Sequence, residues 1–331
     1  MRQYAHTLAR LARTLGIGTG LALTCVLAAH ATGTYPEKPI NIVVPYAPGG
    51  ALDTVTRVVA VKMGEVLKQS IIVDNRPGAA TNIGMDYVAR QPADGYTILT
   101  ASPSLTVNGA LFSKLPFNPS KAFAPIGEIG YAPQVIVVPA NSPYKTLEDL
   151  IGDAKKHPDK LSFGTPGIGS SGHLAVALLE SEGKFQATHI PYKGGEPAMN
   201  DLLGGRLSFM AINPLEALAH LKAGTLRALV VLSDKPMALL PGVPDVVQAG
   251  LPGAQVSVWW GFVGPAGMPK PVIDKLNAAL QAALKDPAVQ TRLANLGAIL
   301  APGTADDLGK FIAAQTAKWG EVIKTAGIQA N

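Results

Sequence analysis

The sequence has few cysteines and few charged residues. It contains one cysteine in 331 residues, Cys25, and only 15% of its residues are charged, against about 25% in typical soluble proteins. Hydrophobic residues, however, amount to 47%, enough to bury a large core, which excludes a disordered chain and a coiled coil. At this length we expect two domains rather than one.

Three features in order indicate an N-terminal targeting segment. Arg2, Arg10 and Arg13 form a basic start without any acidic residue, and an apolar run extends over residues 15–29. This run is too short and too rich in glycine to span a membrane stably. Ala29-His30-Ala31 then offers small residues where a signal peptidase cleaves. We therefore predict a secretory signal peptide that is cleaved after Ala31, leaving 300 residues.

Removal of this segment narrows the functions that the composition allows. The remaining chain has 25 basic and 23 acidic residues, too small an excess to attract a nucleic acid. Cys25 is lost as well, so a disulfide, a thiol nucleophile and a cysteine-ligated metal are excluded. A lipoprotein that keeps Cys25 is the alternative, but Leu23-Thr24 is a poor lipobox. No later stretch has 18 uninterrupted apolar residues, and we expect a soluble protein.

Strand and helix patterns alternate along the rest of the chain. Ile40–Val44 is typical of a buried strand, a helix is predicted from about Asp53 to Leu67, and the strand Ile71–Asp74 follows. This spacing predicts right-handed crossovers in a mostly parallel sheet. A second unit of the same kind begins with the strand Val135–Val138. Thr146 and Asp149 then predict a capping box for a helix that stops before Pro158, and the tail after Pro271 is helical. The predicted fold class is therefore α/β.

Two loops between a strand and a helix are candidates for ligand binding, because ligands of open α/β sheets lie beyond the carboxyl ends of the strands. The first loop runs from Pro45 to Asp53 and carries Gly49 and Gly50 just before a helix. Glycines let a ligand approach the backbone, and the first amides of the helix suit a carboxylate. The alternative is an ordinary turn in which Asp53 caps the helix.

The second loop runs from Thr165 to His173 and contains the pattern G-x-G-x-x-G. A dinucleotide site would need an acidic residue about 20 positions later, and none stands there, so we expect no nucleotide cofactor. A second anion site is the simpler hypothesis, formed by backbone amides together with the hydroxyls of Ser170 and Ser171. A glycine-rich connection without a ligand is the alternative.

A catalytic site has little support in the sequence. Ser171 and His173 lie two residues apart at a helix start and would point in different directions, and the G-x-S-x-G pattern is absent. The histidines show no metal-binding spacing. We predict no catalytic residue, no metal and no cofactor, although a triad or metal site built from distant residues stays open.

Nine short stretches of the chain match the pattern of one protein family. They are YPEKPI at 35–40, VPYAPGG at 44–50 with Asp53, NRPGA at 75–79, PADGYT at 92–97, GSSGHLA at 169–175, PYKGG at 191–195, DLLGG at 201–205, KAGTLR at 222–227 and GPAGMP at 264–269. No single stretch carries the likeness, which rests on the order and spacing of all nine. On these stretches, the chain resembles the Bug-type periplasmic receptors of tripartite tricarboxylate transporters, the TctC family, from about residue 35 to residue 327.

The resemblance implies a two-domain periplasmic-binding-protein type II fold, or Venus flytrap, with the ligand in the cleft between the domains. Domain 1 would combine residues 32–134 and 255–331, and domain 2 would be residues 135–254. The hinge would lie near residues 135–139 and 256–262.

The resemblance also implies the site and the partners. Family receptors hold small carboxylates, so we expect a small organic carboxylate ligand, a monomer in the periplasm, and membrane subunits of a tripartite tricarboxylate transporter as partners. Nucleic acid is not expected. The residues expected to bind the ligand are Tyr46, Pro48, Gly49, Gly50, Asp53, Ser102, Thr165, Gly169, Ser170, Ser171, His173, Tyr192 and Asn213.

One departure from the family pattern suggests a ligand preference. Where many relatives have Asp-Asn, this chain has Ile212-Asn213. An acid there could pair with an amine, so we hypothesise a preference for an uncharged-tail or aromatic carboxylate over an amino acid, unless position 212 is buried and the change is packing. A ligand-sensing module for a signalling system and a secreted enzyme remain the alternative functions.

Overall fold

Two β-sheets with helices on their faces make up the described part of the chain. The computed structural model describes residues 35–158, 160–192 and 194–330, so the predicted signal peptide lies outside the described residues. Both sheets belong to one compact unit that begins at Lys38. The α/β fold class predicted from the alternating patterns is confirmed. The prediction of a mostly parallel sheet is wrong: both sheets are mixed, and five of the nine strand pairings among the described residues are antiparallel.

The strands of the described residues form a six-stranded and a five-stranded sheet. They are β1 (Ile40–Val44), β2 (Ile71–Asn75), β3 (Thr97–Ala101), β4 (Phe123–Pro133), β5 (Val135–Pro139), β6 (Ser162–Thr165), β7 (Thr188–Pro191), β8 (Phe209–Ile212), β9 (Leu226–Val231), β10 (Ser257–Pro265) and β11 (Ile299–Leu300). The order is β11-β4-β10-β3-β1-β2 in the first sheet and β7-β6-β8-β5-β9 in the second.

Helices connect most of these strands, and three follow one another in the tail. They are α1 (Ala51–Leu67), α2 (Asn82–Ala89), α3 (Ser104–Leu111), α4 (Leu147–Lys156), α5 (Ser171–Gly183), α6 (Gly195–Leu203), α7 (Pro214–Lys222), α8 (Lys270–Lys285), α9 (Pro287–Asn295) and α10 (Ala305–Thr325). None of the helices in the described ranges is both long and apolar enough to cross a bilayer.

Side-chain caps fix several of the helix starts. The predicted capping box of α4 is confirmed: Asp149 N donates to Thr146 Oγ1 over 3.1 Å, and Thr146 N donates to Asp149 Oδ2 over 3.0 Å. Thr304 and Asp307 form the same box at α10. Asp286 caps α9 by accepting from two backbone amides of its first turn.

The sequence patterns did not predict α3. Its residues Ser104 to Asn108 and Leu111 are all buried and only Gly109 and Ala110 are exposed, so the helix lacks a continuous polar face and its sequence shows no period of 3.6. This burial arises because α3 packs against the apolar clusters of both sheets. Val107 and Leu111 pack among the apolar side chains of the second sheet, whereas Leu105 packs with those of the first.

The parallel pairings bring the candidate loops to two sheet edges. β1 pairs in parallel with β2 and β3, and β6 pairs in parallel with β7 and β8. Parallel strands end at the same edge. The first loop therefore shares an edge with Ser102, and the second loop shares an edge with Tyr192 and Asn213.

The last helix packs on both apolar cores. Its residues Leu308 and Phe311 lie in the cluster under the first sheet, with Trp259. About two to four turns further on, Trp319 and Ile323 lie in the cluster of the second sheet. The helix α10 therefore joins the cores of the two sheets in addition to the chain connections between them.

Gly172 in the first turn of α5 is expected to tolerate no side chain. A Cβ at this position would lie 2.5 Å from the backbone oxygen of Ala211, which ends a central strand and cannot move freely. We expect Gly172→Ala to lower the free energy of unfolding by about 2 kcal/mol through overpacking, as measured by urea denaturation.

Gly152, inside α4, provides the matched control. A Cβ there has no atom within 4 Å, so Gly152→Ala should raise the free energy of unfolding by about 0.5–1 kcal/mol through backbone entropy. Equal stabilities of the two variants would contradict the close contact between α5 and β8.

Candidate functional site

A buried carboxylate holds the first loop in shape. Asp53 lies in the first turn of α1 and is only 3% exposed. Gly49 N donates to Asp53 Oδ2 over 2.9 Å, and Asn75 Nδ2 donates to Asp53 Oδ1 over 3.0 Å. Arg57 Nε donates to both carboxylate oxygens over 3.0 Å. Asn75 Nδ2 also donates to the backbone oxygen of Tyr46, so the end of β2 supports both ends of the loop.

These contacts change the role predicted for Asp53. Burial raises the pKa of its carboxyl, but the hydrogen bonds from Arg57, Gly49 and Asn75 lower it by more, so the pKa lies below its ordinary value. The oxygens are thus engaged by the protein itself. We revise Asp53 from a residue that contacts the ligand to one that positions the glycines.

Tyr46 connects the first loop to the residues that follow β3. Its hydroxyl hydrogen-bonds the side chains of Ser102 and Ser104, whose own hydroxyl oxygens lie 2.9 Å apart. Ser102 follows β3 and was predicted as a site residue, whereas Ser104, the first residue of α3, was missed because that helix was missed. Burial raises the pKa of the Tyr46 phenol, and the charge of Glu216 raises it further.

The second loop is held from within by two stacked imidazoles. The rings of His173 and His189 lie 3.9 Å apart at an angle of 13°. Gly169 N donates to His173 Nδ1 over 3.1 Å, and Thr165 Oγ1 lies 2.7 Å from His189 Nε2. Burial lowers the pKa of His173 to about 4 and that of His189, with help from His173, to about 3. Both rings are therefore neutral at pH 7.

Several residues predicted to bind the ligand also hold the second loop in shape. Thr165 is fully buried and also bonds the backbone of Gly167, and His173 accepts from Gly169, so we revise both to positioning residues. Ser170 Oγ accepts from His173 N over 3.4 Å and caps α5. Ser171, the partly buried first residue of α5, has no such internal bond among the described residues.

The helix α3 links the two loops. Its first residue, Ser104, bonds Tyr46 of the first loop. Its last residue, Leu111, packs so closely on the second loop that a Cβ at Gly169 would overlap its side chain. The two contacts lie seven positions apart on α3, which is about 10 Å along the helix axis. The first and second loops therefore both border α3, one at each end.

The end of β8 adds polar groups to the same region. Asn213, at the amino end of α7, is 8% exposed, and its side chain caps no backbone amide. That side chain hydrogen-bonds Glu216, and its Oδ1 has no partner among the described residues. The Glu216 carboxylate lies 3.1 Å from the Cβ position of Gly195, the first residue of α6. Sequence reasoning missed Glu216, because an acid in the first turn of a helix is ordinary.

Tyr192 has a structural partner on its own sheet. Its hydroxyl donates to Asp201 Oδ2 over 2.7 Å, and its ring packs on the apolar cluster around Met210. Burial raises the pKa of the phenol. We therefore interpret Tyr192 as one wall of the region rather than as a free donor.

The hypothesis drawn from Ile212 is wrong in its premise. Ile212 is 2% exposed and packs in the apolar cluster of the second sheet with Val135 and Met210. Its side chain therefore fills the core, and the residue reflects packing rather than ligand preference. An acidic side chain is present nearby nonetheless, at Glu216.

Five helices begin at the two loops or at the strand ends beside them. α1 follows the first loop, α3 begins at Tyr46's partner Ser104, and α5, α6 and α7 begin at the shared edge of β6, β7 and β8. Each amino end carries unpaired amides and a partial positive charge, which favours a bound anion. Across the described residues, no group of three or more histidine, aspartate or glutamate side chains could hold a metal ion.

Comparison with known proteins identifies one family. Residues 55–328 match the model of the tripartite tricarboxylate transporter family receptor, TctC. An R. palustris protein, Rpa4515, solved with adipate, is 32% identical and superposes with a TM-score of 0.85, covering 89% of this chain and 99% of that one. MatC from Rhodopseudomonas palustris, with bound malate, is 31% identical with a TM-score of 0.82, covering 87% and 100%.

A third solved structure, the periplasmic binding protein BugD, is 36% identical to this chain. It superposes with a TM-score of 0.83 and covers 90% of this chain and 100% of its own. These similarities extend over nearly all of the described residues, so they include both candidate loops.

The Asp53–Arg57 ion pair is expected to stabilise the fold more than a similar ion pair on the surface. We expect Asp53→Asn to lower the free energy of unfolding by about 2 kcal/mol at pH 7. Because the folded-state pKa is lowered, this stabilisation is complete above the unfolded pKa of about 3.9 and is lost as the pH falls through the folded value. The gap between wild type and variant should therefore shrink below about pH 4 in urea denaturation.

Asp86→Asn is the matched control, since Asp86 and Arg90 form the same i,i+4 pair. The side chain of Asp53 is 5% exposed, that of Asp86 is 27% exposed, and Arg90 is 64% exposed. We expect a loss below about 0.5 kcal/mol there. Equal losses in both variants would show that the network around the first loop adds nothing.

Proposed function

The chain belongs to the tripartite tricarboxylate transporter receptor family, and on that premise we propose that it captures a small organic carboxylate in the periplasm. The observation that supports this proposal is that two glycine loops, each leading into the amino end of a helix, border the two ends of α3. The solved relatives bound to adipate and malate support the chemical class, since both ligands are dicarboxylates.

The first loop would hold one carboxylate of the ligand. Gly49 N is taken by Asp53, so the binding amides would be those of Gly50 and the first turn of α1. Tyr46 and Pro48 would form the wall beside them, with Ser102 behind Tyr46. From the second loop, Gly169 and the hydroxyls of Ser170 and Ser171 would approach the remainder of the ligand. This arrangement uses oriented backbone dipoles rather than a positive side chain.

The two sheets would act as two lobes that close on the ligand. Residues 32–134 with 255–331 would form domain 1 and residues 135–254 domain 2. The two connections run side by side, because Gln134 N donates to the backbone oxygen of Val256 over 2.9 Å. The packing of α10 on both cores adds a third link that must bend or slide on closure. The closed form is favoured only by its additional ligand contacts.

Delivery rather than catalysis would follow binding. His173 Nδ1 accepts from Gly169 and its ring is stacked on His189, so this histidine is not placed to activate Ser171. We propose a monomer that, once closed, is recognised by the membrane subunits of a tripartite tricarboxylate transporter, without a cofactor or metal. The predicted signal peptide would bring it to the periplasm.

A thermal-shift screen against carboxylates tests the proposed function. The purified mature protein is heated with adipate, malate, succinate, glutarate and citrate, and with adipamide as a control that lacks charge. A ligand at 100 times its Kd should stabilise the fold by about 2.7 kcal/mol. We expect at least one carboxylate to raise the unfolding temperature and adipamide not to. No response to any carboxylate at millimolar concentration would overturn the proposal.

Gly49→Val is expected to abolish binding of the carboxylate found in that screen. Gly49 has φ +87°, and its Cβ position is open, so a valine would distort the loop and obstruct the surface where the ligand sits. Binding measured by calorimetry should weaken at least a hundredfold.

Gly205→Val is the matched control. Gly205 has φ +72° and an equally open Cβ position but lies after α6, away from both loops. It should show a similar loss of stability with unchanged affinity. A Gly49→Val protein that binds as tightly as wild type would remove the first loop from the site.

A further inference from the structure

His189, which is not among the residues expected to bind the ligand, supports the second loop from the neighbouring strand β7. Its ring lies 3.9 Å from that of His173 at an angle of 13°. Its Nε2 atom lies 2.7 Å from the hydroxyl oxygen of Thr165, where the second loop begins. Phe163 extends the stack, with its ring centre 4.9 Å from that of His189. The stacked rings thus connect the start of the loop with its helical end.

The hydrogen bond inside the loop requires an uncharged imidazole. Gly169 N donates to His173 Nδ1 over 3.1 Å, so this nitrogen offers its lone pair. A protonated imidazole carries a hydrogen on both ring nitrogens and accepts no hydrogen bond. Protonation of His173 therefore breaks its bond to Gly169 and frees the backbone of the loop at that point.

Burial and stacking both oppose a charge on these rings. Burial lowers the pKa of His173 to about 4, and burial followed by the neighbouring His173 lowers the pKa of His189 to about 3. When the loop opens and the rings are hydrated, the pKa of each returns to about 6.5. The stabilisation that the pair gives is therefore complete above about pH 6.5, and it is lost as the pH falls toward the two lowered values.

One further titratable group of the described residues borders the stack. A cavity of about 310 Å³ is lined by both imidazoles, by Glu180 of α5 and by residues 326–329, which follow α10. Glu180 Oε1 accepts from Ala187 N over 2.7 Å, and burial raises the pKa of this carboxyl to about 7. In mild acid Glu180 is therefore neutral and offers no negative charge that would hold an imidazolium. The strand β6, the second loop before His173 and residues 326–329 contain no acidic or basic side chain.

These contacts make the shape of the second loop dependent on protons. We propose that His173 and His189 are positioning residues that keep the second loop ordered near neutral pH and release it in mild acid. The consequence for binding rests on the proposed function, in which Gly169, Ser170 and Ser171 approach the ligand. A carboxylate would then be held with the help of the second loop at neutral pH and lose that help as the surroundings acidify.

Hydrogen exchange of the Gly169 amide, measured by NMR without a ligand, tests this inference. Exchange rates at pH 7.0 and 5.0 are divided by the intrinsic rates of an unfolded chain, which gives a protection factor at each pH. We expect the protection of Gly169 to fall at least tenfold, because His173 alone favours opening about twentyfold more at pH 5.0.

The amide of Gly49 is the matched control within the same sample. It is also a loop glycine held by a side chain, since it donates to Asp53 Oδ2 over 2.9 Å. The pKa of the Asp53 carboxyl lies below its ordinary value, so this acceptor persists at pH 5.0. The protection of Gly49 should change less than twofold.

The double variant H173N/H189F removes the titrating nitrogens and keeps the contacts. The asparagine oxygen takes the place of Nδ1 and accepts from Gly169 at either pH, and the phenylalanine ring continues the stack on Phe163. The fall in protection should shrink to less than twofold. H157N is the control variant, because His157 is 54% exposed and bonds Asp153 on α4. It should keep the response of the wild type.

Equal protection of Gly169 at both pH values, or the same fall in wild type and H173N/H189F, would overturn the inference. If the double variant does not fold, ring titrations of the wild type by NMR decide. Both imidazoles should be neutral at pH 5.5, and a midpoint near 6.5 for either ring would contradict the proposal. No ligand is present in these measurements, so their outcome is independent of the carboxylate screen that tests the proposed function.

Discussion

The hydrogen-bond network of Asp53 is the interaction on which the candidate site depends. Two adjacent glycines give a loop that could adopt many conformations, and a loop without a fixed shape presents no oriented amides. The Asp53 carboxylate removes that freedom by joining Gly49, the helix residue Arg57 and the strand-end residue Asn75. A negative side chain thus supports an anion site from behind, without reaching the place where the anion would bind.

The sequence allowed much of the fold to be predicted and less of the site. Buried β-branched runs and a capping box locate β1, β5 and α4, because these signals are local. Helix α3 escaped prediction because six of its eight residues are buried and its apolar side chains pack against two different sheets. Ser104 was lost with it. The roles of Thr165 and His173 depend on contact with His189, which lies 24 and 16 residues further along the chain. The surroundings of Glu216 likewise depend on Gly195 and Tyr46, which are distant from it in sequence. No local pattern encodes such distant neighbours.

The final helix has a consequence for the order of folding. Trp319 and Ile323 pack in the second apolar core, and Ala330 N donates to Leu111 O over 3.1 Å, so this core joins segments that are far apart in sequence. Contacts between distant segments form late, because the long stretch of chain between them must first be closed into a loop. The second sheet would therefore complete its core only when α10 docks, after its own strands have paired.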